Sequence, residues 1–134
     1  ILLENYVKTI HIEAKTLYSM VEQQFMPALL HYTDTLSSSI ADKKAVADLP
    51  CTAETALLKD MSVAYESLYT LSEKLAADTA EAEGLTDNAT ASFFYHDTII
   101  KDMDDIRAVA DKAEVKLPKE FLPYPSYEEM LFYV

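Results

Sequence analysis

The apolar positions of the first segment fall at alternating steps of four and three: Leu3, Val7, Ile10, Ala14, Leu17 and Val21. That spacing lays one continuous stripe along an α-helix, the seam by which one helix packs on another. The stripe continues through Phe25, Leu29, Tyr32, Leu36 and Ile40, and around Phe25 it steps by four twice in succession. Such a double step is a stutter, which rotates the buried stripe about the helix. Pro27 lies within it. It has no N–H to give the carbonyl of Gln23, and its ring crowds that carbonyl. The pattern predicts one helix over about 2–46, bent near Pro27, with a break near Met26 as the alternative. Ser37-Ser38-Ser39 weakens its last turns.

A second stripe runs through Leu57, Met61, Ala64, Leu68, Leu71 and Leu75, widened by Leu58, Tyr65 and Tyr69. Thr52 suits an N-cap, and Glu54 adds negative charge where the helix dipole favours it. This helix is predicted over about 52–83, with Gly84 in a left-handed position past its end. Thr86 or Asp87 caps a third helix over about 87–117. Its stripe is Phe93, His96, Ile99 or Ile100, Met103, Ile106, Ala110, Ala113 and Leu117, and Pro118 ends it. Ser126-Tyr127-Glu128-Glu129 matches a capping box, so a short helix over about 127–132 closes the chain. Three long helices joined by short links predict an all-α, antiparallel up-down-up bundle in a single domain. With one glycine in 134 residues, there is little of the turn chemistry that a strand-rich fold needs.

The net charge of −12 sharpens the picture on the side of function. Nucleic-acid binding starts from clustered Lys and Arg, and here ten lysines are scattered and Arg107 is the single arginine. The charge also disfavours anionic membrane surfaces, and no apolar run approaches the ~20 residues of a membrane span. The first residues lack the basic and apolar regions of a signal peptide. Cys51 has no second cysteine to pair with, which fits a reducing, cytoplasmic setting.

Spacing excludes several chemistries. A di-iron bundle needs Glu-x-x-His pairs, but Lys8, Ala28 and Phe93 stand three residues before His11, His31 and His96. The His-Glu-x-x-His of a zinc protease is absent, because Ile12 follows His11. His11 has Lys8 and Lys15 within a turn, a weak phosphotransfer pattern that is common on surfaces. His96 falls on the predicted apolar face. Asp102, Asp104 and Asp105 do not converge on one point, and they read as a solvated face, as do Asp78, Glu81 and Glu83. No catalytic, metal-binding or cofactor-binding residue emerges.

The tail departs from this plain background. Phe121, Leu122, Pro123, Tyr124, Pro125, Tyr127, Met130, Leu131 and Phe132 gather aromatic and apolar groups around two prolines. Either they close the bundle's own core or they dock on another domain or subunit, where aromatic anchors dominate interfaces.

The string Glu4-Asn5-Tyr6-Val7-Lys8-Thr9-Ile10-His11-Ile12-Glu13-Ala14-Lys15-Thr16 resembles the segment that follows the catalytic core in bacterial type III glutamine synthetases. The resemblance includes Pro27-Ala28, resumes at Arg107-Ala108-Val109-Ala110-Asp111, and ends with Pro123-Tyr124-Pro125-Ser126-Tyr127-Glu128-Glu129-Met130-Leu131-Phe132. Leu122 stands where the family usually has Trp, which counts against docking of the tail in the family's usual way. Residues 34–91 carry only a generic helical pattern. The resemblance implies a C-terminal piece of a ring-forming homo-oligomeric ligase that makes glutamine from glutamate, ammonia and ATP. In that family the ATP and the magnesium or manganese bind upstream, so the piece itself would hold no cofactor. Its partners would be the upstream catalytic domain and neighbouring subunits, and its role structural. The competing reading is a freestanding helical interaction or adaptor protein.

Overall fold

The computed structural model describes residues 2–122. The first rod consists of α1 (Leu2–Met20), a π turn at Val21–Phe25 and α2 (Met26–Val46). It does not break at Met26, where φ is −61° and ψ −44°. The disturbance expected at Pro27 takes the form of a wide turn just before it, closed by the Met26 N–H donating to the Val21 carbonyl. A π turn carries one residue more than an α turn, so the rod continues although Pro27 cannot supply an α-type bond. It also explains the stripe: Val21, Phe25 and Leu29 all remain buried although they are spaced by four.

The second rod is α3 (Thr52–Glu83), 32 residues without interruption. Its seam is as the spacing predicts, with Met61, Leu68 and Leu75 buried. Its ends differ from expectation. The helix already starts at Thr52, so Cys51 is the cap residue, in a left-handed conformation (φ 47°) and with no side-chain cap bond. Gly84 is right-handed, at φ −81° and ψ −9°. A Cβ there would sit 3.4 Å from the Glu81 carbonyl oxygen, an ordinary contact, so the turn does not require glycine.

The third rod holds the larger correction. It divides into α4 (Asn88–Phe94), a second π turn at Tyr95–Ile99 and α5 (Ile100–Glu114). Here too the Ile100 N–H reaches back to the Tyr95 carbonyl. The extra residue turns the preceding helix face. Ala91, Tyr95, Ile99 and Met103 are buried, whereas Phe93, placed in the seam by its spacing, is 70% exposed and His96 also faces out. The α-helix ends at Glu114, short of the predicted 117, and Leu117 is buried in the turn that leads to a 3₁₀ segment at Lys119–Phe121. The predicted helix over 127–132 lies outside the described residues.

Side-chain pairs between rods fix their directions. Lys43 meets Glu54 at 2.9 Å near one end of the first two rods, and Lys15 meets Glu83 at 3.2 Å near the other, so α1 and α2 run antiparallel to α3. Lys74 with Asp102 (2.7 Å) and Lys116 with Asp60 (3.0 Å) do the same for α3 and α5. The described chain is thus an all-α, up-down-up bundle whose core is the three facing seams. Among the described residues no helix is long and apolar enough to cross a membrane.

Asp87 caps α4, its carboxylate accepting from the Thr90 N–H (2.9 Å) and hydroxyl (2.7 Å). The backbone bond leads in holding its carboxyl below the usual carboxylate range. Asp87→Ala should lower the thermal midpoint, while Asp87→Asn, whose side chain caps equally well, should stay close to wild type. Thermal unfolding followed by circular dichroism checks both.

Candidate functional site

Two polar clusters and the start of the tail are where the bundle departs from an apolar seam. The first cluster joins all three rods. His11 Nδ1 lies 3.0 Å from the Tyr95 hydroxyl, and Nε2 lies 3.6 Å from Glu83 Oε1, which Lys15 also meets at 3.2 Å. Tyr95 points inward from the wide turn and is 2% exposed; its burial and then the Glu83 charge push its phenol pKa up. The tyrosine therefore stays protonated and can donate to Nδ1, leaving Nε2–H to face the carboxylate. Both ring nitrogens of His11 are directed at partners. That arrangement counts against the surface phosphotransfer histidine that Lys8 and Lys15 hinted at. Tyr95→Phe keeps the ring and removes the bond, which should cost about 0.5–1.5 kcal/mol in urea unfolding.

The second cluster lies between α3 and α5. Asp102, read from spacing as solvated, is 2% exposed. The Lys74 ammonium reaches both Asp102 Oδ1 and Asp78 Oδ2 at 2.7 Å. Burial pushes the Asp102 carboxyl up to about 6, the neighbouring Asp78 carboxylate adds to that, and Lys74 opposes it. The spacing of Asp102, Asp104 and Asp105 gave no sign of this, because the lysine that makes the burial tolerable stands on another helix. Asp104 and Asp105 do keep to the outer side, in pairs with Arg107 and Lys101.

The remaining histidines carry no constellation. His96, expected on the apolar face, bonds its exposed neighbour Asp97 at 2.9 Å. His31 meets the ring of Phe121 edge-on, at a centroid distance of 4.9 Å. Cys51 is buried. Among the described residues no group of three or more His, Cys, Asp or Glu could hold a metal ion.

Of the tail, Phe121 and Leu122 are described, and both are half-buried against the core. The Phe121 ring packs on His31 and, at 5.1 Å, on Tyr32 of α2. The tail thus starts by folding back on its own bundle. Pro123, Tyr124, Pro125, Tyr127, Met130, Leu131 and Phe132 lie outside the described residues.

Comparison with known proteins agrees with the resemblance at the two ends of the chain and extends it through the middle. Residues 1–44 match the glutamine synthetase C-terminal domain. A glutamine synthetase from Butyrivibrio fibrisolvens is 40% identical over 98% of this chain, and a type-3 glutamine synthetase from Dictyostelium discoideum is 24% identical over 98% of it. The chain spans 19% of the length of each of these relatives. The chain is thus similar to glutamine synthetases over nearly its whole length, and the match to their C-terminal domain falls on its first rod.

Proposed function

We propose that this chain is a non-catalytic, architectural part of a type III glutamine synthetase, supporting the catalytic domain and contacts between neighbouring subunits of a homo-oligomer. The parent reaction is the ATP-dependent ligation of ammonia to glutamate, with ATP and divalent metal held elsewhere in the longer protein, in the cytoplasm. The observation that carries this reading is similarity along 98% of the chain to proteins of whose length it spans only 19%. The bundle's chemistry supports it. His11 bonds Tyr95 and faces Glu83, and Lys74 bonds Asp102, so both polar clusters tie one rod to another. Phe121 and Leu122 pack against the bundle's core, Phe121 on Tyr32 of α2.

The test is to express the chain separately and add it to a type III synthetase from which the corresponding segment has been removed. The chain alone should form no glutamine from glutamate, ammonia and ATP, and it should bind the truncated synthetase. Glutamine formation by the chain alone would reject the non-catalytic role. Failure to bind, together with capture of an unrelated protein, would favour the adaptor reading.

A further inference from the structure

We propose that Asp78 and Asp102, bridged by Lys74, form a proton-binding clamp between α3 and α5, closed when one proton is shared between the two carboxyls. Asp102 is almost wholly buried in the first turn of α5, immediately after the π turn. Its Oδ1 is bound to Lys74, but its Oδ2 is buried and has no hydrogen-bond partner. An orphaned buried carboxylate oxygen is costly, and a proton is the smallest group that can satisfy it. Protonated, Asp102 becomes a donor, and the Asp78 carboxylate beside it is the acceptor. The Lys74 ammonium lies 2.7 Å from one oxygen of each carboxyl, so it gathers the two carboxyls around one cation.

The charged groups that act on Asp102 are Lys74 and Asp78, both from α3; on α5 itself, Lys101 and Asp105 pair with each other at 2.9 Å. The two carboxyls are pushed apart, as expected for a pair sharing one proton. Asp102 rises to about 6, while Asp78 is held below the usual range, first by its bond to Asp102. The raised group contributes stability that is complete below its ordinary value of 3.8 and is lost as pH rises through about 6. The depressed Asp78 contributes stability that is present above 3.8 and is lost as pH falls further. The clamp therefore works best in mildly acidic solution, between 3.8 and about 6.

Two measurements on the intact chain test it. Carbon NMR of the side-chain carboxyls should place the Asp102 midpoint near 6 in wild type, and lower in Asp78→Asn. The thermal midpoint should rise as wild type is taken from about pH 7.5 to about pH 5, through the titration of Asp102. Asp102→Asn, neutral at every pH, should lose that part of the rise, and the exposed control Asp97→Asn should keep it. An Asp102 midpoint at the ordinary carboxylate value, or one unmoved by Asp78→Asn, would overturn the clamp. So would the same pH slope in wild type and Asp102→Asn.

Discussion

Phe25→Ala should destabilise the bundle by about 3–5 kcal/mol, the range for emptying a buried aromatic site. Phe25 is the last residue of the first π turn and is 2% exposed. Its ring fills the place where the first rod's stripe takes its double step of four. Close-packed surroundings relax only partly into such a cavity, so the cost includes the space left behind. Phe93→Ala is the control. It removes the same side chain from α4, where the ring is 70% exposed, and it should shift stability by no more than about 0.5 kcal/mol. Urea unfolding of the two variants measures the difference. Similar losses would mean that the stripe before the second π turn faces the core as simple α-helical spacing has it, with Phe93 inward.

Leu68→Ala should cost about 2–5 kcal/mol. Leu68 is fully buried at the middle of α3, the rod that packs on both others. Leu29 and Ile106, equally buried, come from the first and third rods and belong to the same core. The cavity therefore loosens the contact of all three rods. Val63, also on α3 but 65% exposed, should tolerate alanine within about 0.5 kcal/mol. Guanidinium unfolding of the pair gives the comparison.

Much of this architecture could be read from spacing, and the third rod failed where a π turn interrupts its period. The α3 stripe was legible because nothing interrupts its α-helical period: Met61, Leu68 and Leu75 are buried where the steps of three and four put them. The first rod was legible as well, since its stutter at Phe25 and Pro27 marked the place of the wide turn. The third rod has a comparable run of fours, Ala91, Tyr95, Ile99 and Met103, but no proline draws attention to it. Phe93 and His96 then offered an α-spaced alternative that turned out to face solvent. The polar clusters were illegible for another reason. Asp102 is burdened or relieved by Lys74 and Asp78, and His11 is engaged by Glu83 and Tyr95, residues distant in sequence. A local reading of charge sees an acidic run and a basic pair, not the partners that fold onto them. Of the tail, Phe121 was legible as a core or docking aromatic, and in the fold its ring packs on Tyr32 while staying half-buried.

The proposal that this chain is an architectural part of a synthetase meets its most direct test in the assembled mass of a full-length type III glutamine synthetase, measured by sedimentation with and without the corresponding segment. The account predicts that the intact protein sediments as a large homo-oligomer and that the truncated protein falls to smaller species. A truncated protein that keeps the full assembled mass would contradict it.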